Sequence, residues 1–197
     1  CKITEFYWNL PSLIWKSKLD YICSMIESLF CLPNKPLKAS WERHEFIFKQ
    51  PAKTSRETFK KKETFLLKVA FMNQQVEGCG ECSPLWTLSI DPKEHYPEKL
   101  DWVCENINSW REIIYSEDLS RYPSIQFGLE TALLDLQNGG RQVLFPSFFT
   151  KGKDSIEING LVWMGDYQFM AQQIEEKIES GFTCVKLKIG AIDWKEE

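Results

Sequence analysis

Residues 181–190 read GFTCVKLKIG, a short segment in which apolar and lysine side chains alternate. Alternation with a period of two is typical of a β-strand, and it places Val185 and Leu187 on one face and Lys186 and Lys188 on the other. In a parallel barrel the apolar face is covered by helices, so the two lysines are expected to point into the barrel interior. They would lie near the carboxyl end of the strand, where barrel enzymes carry out their chemistry.

The preceding residues predict the rest of a strand-helix-strand unit. Residues 156–164 form an apolar segment typical of a strand, and residues 166–180 predict a helix that Asp166 caps and Gly181 ends. This order predicts parallel pairing with a right-handed crossover. Because a parallel sheet needs further strands and covering helices, we interpret this unit as the first turn of a larger β/α structure.

The lysine pair has two interpretations. Two lysines on one face of a strand are about 7 Å apart, and if they are buried, desolvation and mutual repulsion should lower the pKa of at least one toward neutrality. Such a lysine would be a usable base. Solvated lysines at this spacing are also common on edge strands, where they prevent aggregation. Spacing alone favours the edge strand, whereas the position behind a strand-helix unit favours catalysis.

An α+β domain is predicted over residues 41–140. Residues 45–48 and 64–71 are rich in β-branched and aromatic residues and predict two strands, separated by a long polar loop at 49–63. A third strand at 76–81 would complete an antiparallel three-stranded meander. Helices packed on this sheet would give the α+β class.

Two helices are predicted after the strands. The first has an apolar stripe from Leu100 to Ile114, and the second has such a stripe from Ile125 to Leu136. The second also has Pro123 in its first turn and a glycine pair just past its end, which are typical start and stop signals.

The composition is that of an ordinary globular protein, with 43% hydrophobic and 26% charged residues. A net charge of -4 without long blocks of one sign gives no reason to expect nucleic acid or an anionic membrane as partner. Seven irregularly spaced cysteines and no recognisable signal peptide or membrane-spanning segment are expected of a cytoplasmic protein. Residues 1–40 are interpreted as an N-terminal extension to which no function is assigned.

Four sequence blocks carry a resemblance to a known family. They are GCGECSP at 78–84, PSIQFGLETALLDLQ at 123–137, INGLVWMG at 158–165 and GFTCVKLKIG at 181–190. Together they resemble the o-succinylbenzoate synthase family of the enolase superfamily. The resemblance implies an α+β capping domain over residues 41–140, followed over residues 141–197 by the start of a modified, TIM-type β/α barrel that is incomplete. The lysine pair would lie on its second strand.

The family resemblance also implies a reaction. The family catalyses a dehydration in menaquinone biosynthesis that converts 2-succinyl-6-hydroxy-2,4-cyclohexadiene-1-carboxylate into o-succinylbenzoate. Lys188 matches the base that removes the proton α to the carboxylate and then assists the departure of hydroxide. Lys186 matches its partner, which depresses the pKa of the base and helps to hold the substrate carboxylate. The implied partner is therefore a small-molecule carboxylate, and the oligomeric state is left open.

The family uses Mg²⁺, held by acidic residues at the ends of the next three barrel strands, and a further lysine on a later strand. These would follow residue 197, so the chain is expected to hold no metal ligand and to be inactive by itself. The resemblance further implies two capping-domain loops that close over the barrel mouth and exclude water. By position, the residues near substrate are Thr54, Ser55 and Arg56 in one loop and Cys82, Ser83, Pro84 and Leu85 in the other.

Several alternatives remain open. N-succinylamino acid racemases, dipeptide epimerases and muconate cycloisomerases share the cap and the lysine pair, although the blocks at 123–137 and 158–165 favour the synthase. Cys79 and Cys82 have the spacing of a redox or metal module, but they close a strand instead of opening a helix, and zinc would need two more ligands. The loop residues could simply pack or be solvated. The chain could also be an inactive truncated product with an aggregation-prone sheet edge.

Overall fold

A computed structural model describes residues 29–54 and 57–188 of the chain. Most of the predicted N-terminal extension and the candidate loop residues Ser55 and Arg56 therefore lie outside the described residues. The chain divides into two compact units. The first comprises Cys1–Glu42, Leu66–Cys82 and Ile90–Leu144, and the second comprises Arg43–Phe65, Ser83–Ser89 and Phe145–Glu197.

Three strands form an antiparallel sheet in the order in which they occur along the chain. They are β1 (Leu37–Lys53), β2 (Thr58–Phe71) and β3 (Glu77–Cys82). The meander is confirmed, but the long loop predicted at 49–63 is wrong, because β1 and β2 continue through most of it.

Ion pairs join the polar first part of β2 to the middle of β1. Lys61 Nζ donates to Glu45 Oε2 at 2.7 Å, and the guanidinium of Arg43 pairs with Glu63. Charged residues have low intrinsic strand propensity, so the sequence pattern hides this part of the sheet. Opposite charges on neighbouring strands compensate for it by about 0.2–1 kcal/mol per pair.

Helices follow the sheet in sequence. They are α1 (Tyr96–Glu105), α2 (Trp110–Ile113), α3 (Glu117–Ser120) and α4 (Pro123–Gln137), with a 3₁₀ turn at Ile107–Ser109 between α1 and α2. The first predicted helix is thus broken at Asn106, whose side chain bonds the carbonyl of Trp102. Helix α4 has the predicted bounds, with Pro123 in its first turn.

Helix α4 packs closely on β3. Its stripe is fully buried or nearly so and consists of Ile125, Leu129, Ala132, Leu133 and Leu136. Burial of each of the larger side chains stabilises the fold by about 1.5–3 kcal/mol. A β-carbon at Gly78 would overlap the backbone of Ala132, and one at Gly80 would overlap the backbone of Gly128. The glycines of the first sequence block therefore permit the close approach of strand and helix.

A buried carboxylate ties this helix to its surroundings. Asp135 is 1% exposed and accepts hydrogen bonds from the backbone N–H of Cys79 at 3.0 Å and of Gln142 at 2.5 Å. These two bonds join β3 and the segment after α4 to one side chain, and hydrogen bonds to a charged group contribute about 1.5–3 kcal/mol each.

The second unit contains the predicted strand-helix-strand element. It consists of β4 (Gly160–Val162), α5 (Tyr167–Glu179) and β5 (Val185–Leu187). The two strands are parallel, as predicted, with Gly160 opposite Val185 and Val162 opposite Leu187. The Asp166 side chain accepts from the N–H of Phe169 and caps the helix. Both strands are shorter than the sequence pattern suggests.

Among helices within residues 29–54 and 57–188, none combines the length and the hydrophobicity needed to cross a bilayer.

Candidate active site

The two candidate catalytic lysines lie at the carboxyl end of β5. Lys186 pairs with Leu161 of β4, and Lys188 directly follows the last residue of the strand. On the opposite face of β4, Val162 is fully buried, and a β-carbon at Gly160 would contact Lys177 of α5. Because paired residues share a face, the lysines lie on the side of the two-stranded sheet away from the helix, as the alternation predicts.

The exposure of the lysines differs from the sequence argument. Lys186 is exposed and Lys188 is half-buried. Leu187 on the other face is 45% exposed, so α5 covers β4 better than β5. A pair of strands cannot enclose a side chain, and the burial expected for a barrel interior is therefore absent from the described residues.

An aromatic ring lies beside the proposed base. The ammonium of Lys188 is 5.0 Å from the ring centroid of Trp163, the residue that follows β4. The backbone of Trp163 is held by the Gln173 side chain: its N–H donates to Oε1 at 3.0 Å, and its carbonyl accepts from Nε2 at 3.1 Å. Sequence reasoning missed both residues, because their placement depends on the strand register and on the orientation of α5.

The first candidate loop is described only at Thr54 and Glu57, on either side of Ser55 and Arg56. The Thr54 hydroxyl donates to the Glu57 carbonyl at 2.9 Å and accepts from the Glu57 N–H at 3.0 Å. These bonds close the connection between β1 and β2. Thr54 is half-buried. These bonds give the Thr54 side chain a structural role, and its role near substrate stays a prediction.

The second candidate loop follows β3. Cys82 is fully buried against Gly128, and Pro84 is buried as well. Ser83 shares a hydrogen bond of 2.7 Å with the hydroxyl of Thr64, which is itself fully buried. These contacts favour packing roles for Cys82 and Pro84, whereas Ser83 and Leu85 are half-buried.

This loop is also bonded to β2 and the turn before it. The indole of Trp86 donates to Glu63 Oε2 at 2.8 Å, and the Thr87 hydroxyl donates to the carboxylate of Glu57. With the Ser83–Thr64 bond, three side-chain contacts hold residues 83–89 against the hairpin. Sequence reasoning missed these partners, because their pairing depends on tertiary contacts between distant residues.

The cysteine pair does not have the properties of a redox centre. Burial raises the pKa of the Cys79 thiol, and the stronger burial of Cys82 raises the pKa of its thiol further. A redox motif instead needs a stabilised thiolate. Within the part of the chain that the structure describes, no group of three or more histidine, cysteine or acidic side chains could hold a metal ion.

Comparison with known proteins identifies the family. The curated o-succinylbenzoate synthase of Desulfotalea psychrophila (strain LSv54 / DSM 12343) is 36% identical over 191 residues, which cover 82% of this chain and 51% of the relative. The crystal structure of MenC from Desulfotalea psychrophila LSv54 is 32% identical with a TM-score of 0.62, and the match covers 79% of this chain and 49% of that one. The chain belongs to the enolase superfamily.

Other superfamily structures share the fold at lower identity. A mandelate racemase/muconate lactonizing protein from Herpetosiphon aurantiacus has a TM-score of 0.62 at 18% identity, covering 82% of this chain and 47% of that one. No family model matches the sequence. The chain spans about half the length of the superfamily members it matches. The antiparallel sheet with its helices and the short parallel unit are therefore the enolase-superfamily architecture.

Proposed function

We propose that this chain supplies the capping domain and the first barrel strands of an o-succinylbenzoate synthase, a lyase of menaquinone biosynthesis. The observation that carries the proposal is the placement of Lys186 and Lys188 on the helix-free face of β5, in a chain 36% identical to a protein of that name. The substrate is 2-succinyl-6-hydroxy-2,4-cyclohexadiene-1-carboxylate. Such a small carboxylate is the partner that we expect, and the net charge of -4 does not favour nucleic acid.

The proposed chemistry is an elimination of water with Lys188 as base. Its neutral amine takes the proton α to the carboxylate, and the electrons of that C–H bond form the new double bond as the ring C–O bond breaks. The resulting ammonium returns the proton to the departing hydroxide, so that water and an aromatic product are formed. Lys186, on the same face, provides a positive charge for the carboxylate during this step.

Mg²⁺ is the proposed cofactor. An o-succinylbenzoate synthase from Thermosynechococcus elongatus BP-1 has been solved with magnesium in its active site. Because residues 29–54 and 57–188 contain no suitable ligand cluster, we place the ligands on residues beyond those that the structure describes. The chain of 197 residues by itself is accordingly proposed to be inactive. We place the reaction in the cytoplasm, since Cys31 and Cys184 are exposed thiols that an oxidising compartment would put at risk.

Removal of the proposed base tests the function. In the full-length protein, Lys188→Ala should lower kcat for dehydration by about 10²–10⁴-fold, the usual contribution of a general base. The melting temperature should change little, because Lys188 is at the end of an element and only half-buried. Formation of o-succinylbenzoate is followed by chromatography, with Lys153→Ala as control in an exposed turn of the same unit.

The same assay separates the alternatives. Turnover of the Lys188→Ala protein at the wild-type rate would refute the assigned role. If the full-length protein racemises N-succinylamino acids or epimerises dipeptides but does not dehydrate the cyclohexadiene, the superfamily assignment stands and the synthase proposal fails.

A further inference from the structure

We propose that Trp163 and Gln173 are positioning residues for Lys188: the amide of Gln173 fixes the backbone of Trp163, and the indole of Trp163 holds the lysine ammonium at the carboxyl end of β5. The catalytic consequence rests on the proposed function of Lys188. The contact itself does not, because it is a property of the strand-helix-strand unit.

The position of Trp163 follows from the strand register. Val162 pairs with Leu187, so Trp163 and Lys188 are the next residues along two adjacent parallel strands. Their side chains lie on the face away from α5, where the ammonium is 5.0 Å from the ring centroid. This distance is within the range of about 6 Å in which the face of a tryptophan attracts a cation.

The role of Gln173 follows from its hydrogen bonds. Beyond Val162 the β4 backbone has no strand partner in the pairing with β5, yet both backbone groups of Trp163 are bonded to one side-chain amide. The amide nitrogen also donates to the carbonyl of Phe169 at 3.3 Å. The backbone of Trp163 is therefore held to α5, although the residue is 42% exposed.

Only an amide of this length satisfies the arrangement. A glutamine side chain has a donor and an acceptor on one planar group, which matches the N–H and carbonyl of a single residue. A glutamate could accept from the N–H of Trp163 but would present a second oxygen to its carbonyl. The substitution Gln173→Glu should thus remove the hydrogen bond to the Trp163 carbonyl while keeping nearly the same side-chain shape.

The hydrogen bonds between Gln173 and Trp163 affect catalysis through the position of the Lys188 side chain. Lysine has a flexible four-carbon stem, and a ring on one side restricts the positions that its ammonium can take. Reaction rates depend strongly on such placement, since misplacement by about 1 Å can cost 10²-fold. The ring also attracts the ammonium, which is the form that Lys188 has after it accepts the substrate proton. Loss of the ring should therefore affect kcat more than KM.

Nuclear magnetic resonance of the full-length protein tests the contact. Reductive methylation with ¹³C-formaldehyde labels each lysine as a charged dimethylamine, and the Lys188 signal is assigned by its loss in Lys188→Arg. The ring current of Trp163 should shift this signal upfield. The shift should disappear in Trp163→Leu, decrease in Gln173→Glu and Gln173→Leu, and persist in part in Trp163→Phe. A Lys188 signal that is unchanged in Trp163→Leu would overturn the proposal.

Steady-state kinetics of the same variants test the consequence. Trp163→Leu and Gln173→Leu should lower kcat by roughly 10- to 100-fold with KM nearly constant, and Trp163→Phe should restore most of the rate. Gln172→Leu is the matched control, because Gln172 is exposed on the same helix and bonds only Glu176 among the side chains described. Equal impairment of Trp163→Leu and Trp163→Phe would contradict a role for the ring.

The two measurements separate failure of this proposal from failure of the proposed function. If Lys188→Ala is fully active, the catalytic role is lost while the ring-current shift can still be present. If Lys188→Ala is inactive and Trp163→Leu leaves both the shift and kcat unchanged, the positioning role is wrong and the base assignment stands.

Discussion

The pKa values of the cysteine thiols depend on how deeply each side chain is buried. Cys82, the last residue of β3, is fully buried against α4, and burial raises the pKa of its thiol. Burial likewise raises the pKa of Cys104 on α1 to about 11. Cys31 and Cys184 are exposed. Since the thiolate is the reactive form, reactivity toward alkylating reagents should follow this order of exposure.

A pulse of iodoacetamide at pH 8, read by peptide mass spectrometry, checks this order. Cys31 and Cys184 should be alkylated first, Cys104 slowly, and Cys82 only in urea. The folded state keeps the thiols protonated, so stability should fall as pH rises from the unfolded thiol value near 8.5. For Cys104 this decline extends to about pH 11. Labelling of Cys82 as fast as Cys184 would contradict the packing role and revive the redox alternative.

At the residue scale, the sequence predicted the lysines but not their neighbours. Alternation along one strand is a local property, and it was sufficient to place Lys186 and Lys188 on a common face. Trp163 and Gln173 depend on the strand register and on the orientation of α5, which are set by contacts between residues distant in sequence. The buried state of Cys82 likewise follows from the packing of α4, which composition does not reveal.

At the element scale, a helix or strand was predicted correctly where its start, stop and periodicity signals in the sequence indicate the same element that tertiary packing stabilises. Helix α4 has a proline start, an apolar stripe and a glycine end, and its bounds were predicted. Residues 58–63 of β2 were missed, because the charged side chains of Lys61 and Glu63 are stabilised there by partners on β1, which is distant in sequence. Helix α1 was predicted too long, since a continuous apolar stripe does not show the break at Asn106.

The packing of β3 on α4 depends on its glycines, and this gives a prediction. Gly80→Ala should destabilise the chain by about 1–3 kcal/mol, because its β-carbon would overlap the Gly128 backbone, which cannot rotate away. Gly152→Ala is the control: its β-carbon would meet no atom within 4 Å, and only its positive φ opposes the change. Urea unfolding measures both.

A larger loss for Gly152→Ala than for Gly80→Ala would show that strand and helix are not packed as described. Gly128→Ala provides a second variant from the helix side, since its β-carbon would overlap the Cys82 sulfur. That clash is with a side chain of β3, so a smaller cost is expected if the sulfur can move.

At the scale of the whole molecule, the described part of the barrel segment, from Phe145 onward, leaves much apolar surface exposed. The chain spans about half the length of its superfamily relatives, and the described part of the segment from Phe145 onward contains a single pair of short parallel strands. Several large apolar side chains there are mainly exposed, among them Phe145, Phe148, Ile156 and Ile158. Parallel sheets are normally covered on both faces. We therefore expect this exposed apolar surface to associate with another protein surface.

Expression of residues 1–197 alone, beside the full-length protein, tests this expectation. The short chain should bind the dye 8-anilinonaphthalene-1-sulfonate and elute as associated species. Among the described residues, the two parallel strands pair only with each other and several large apolar side chains are mainly exposed. Phe148→Lys, at a position that is 70% exposed, should reduce association without loss of the antiparallel sheet signal in circular dichroism. Light scattering coupled to size exclusion gives the masses. A monomer that melts sharply and binds no dye would mean that the barrel segment buries its apolar residues by itself, in an arrangement different from the one described.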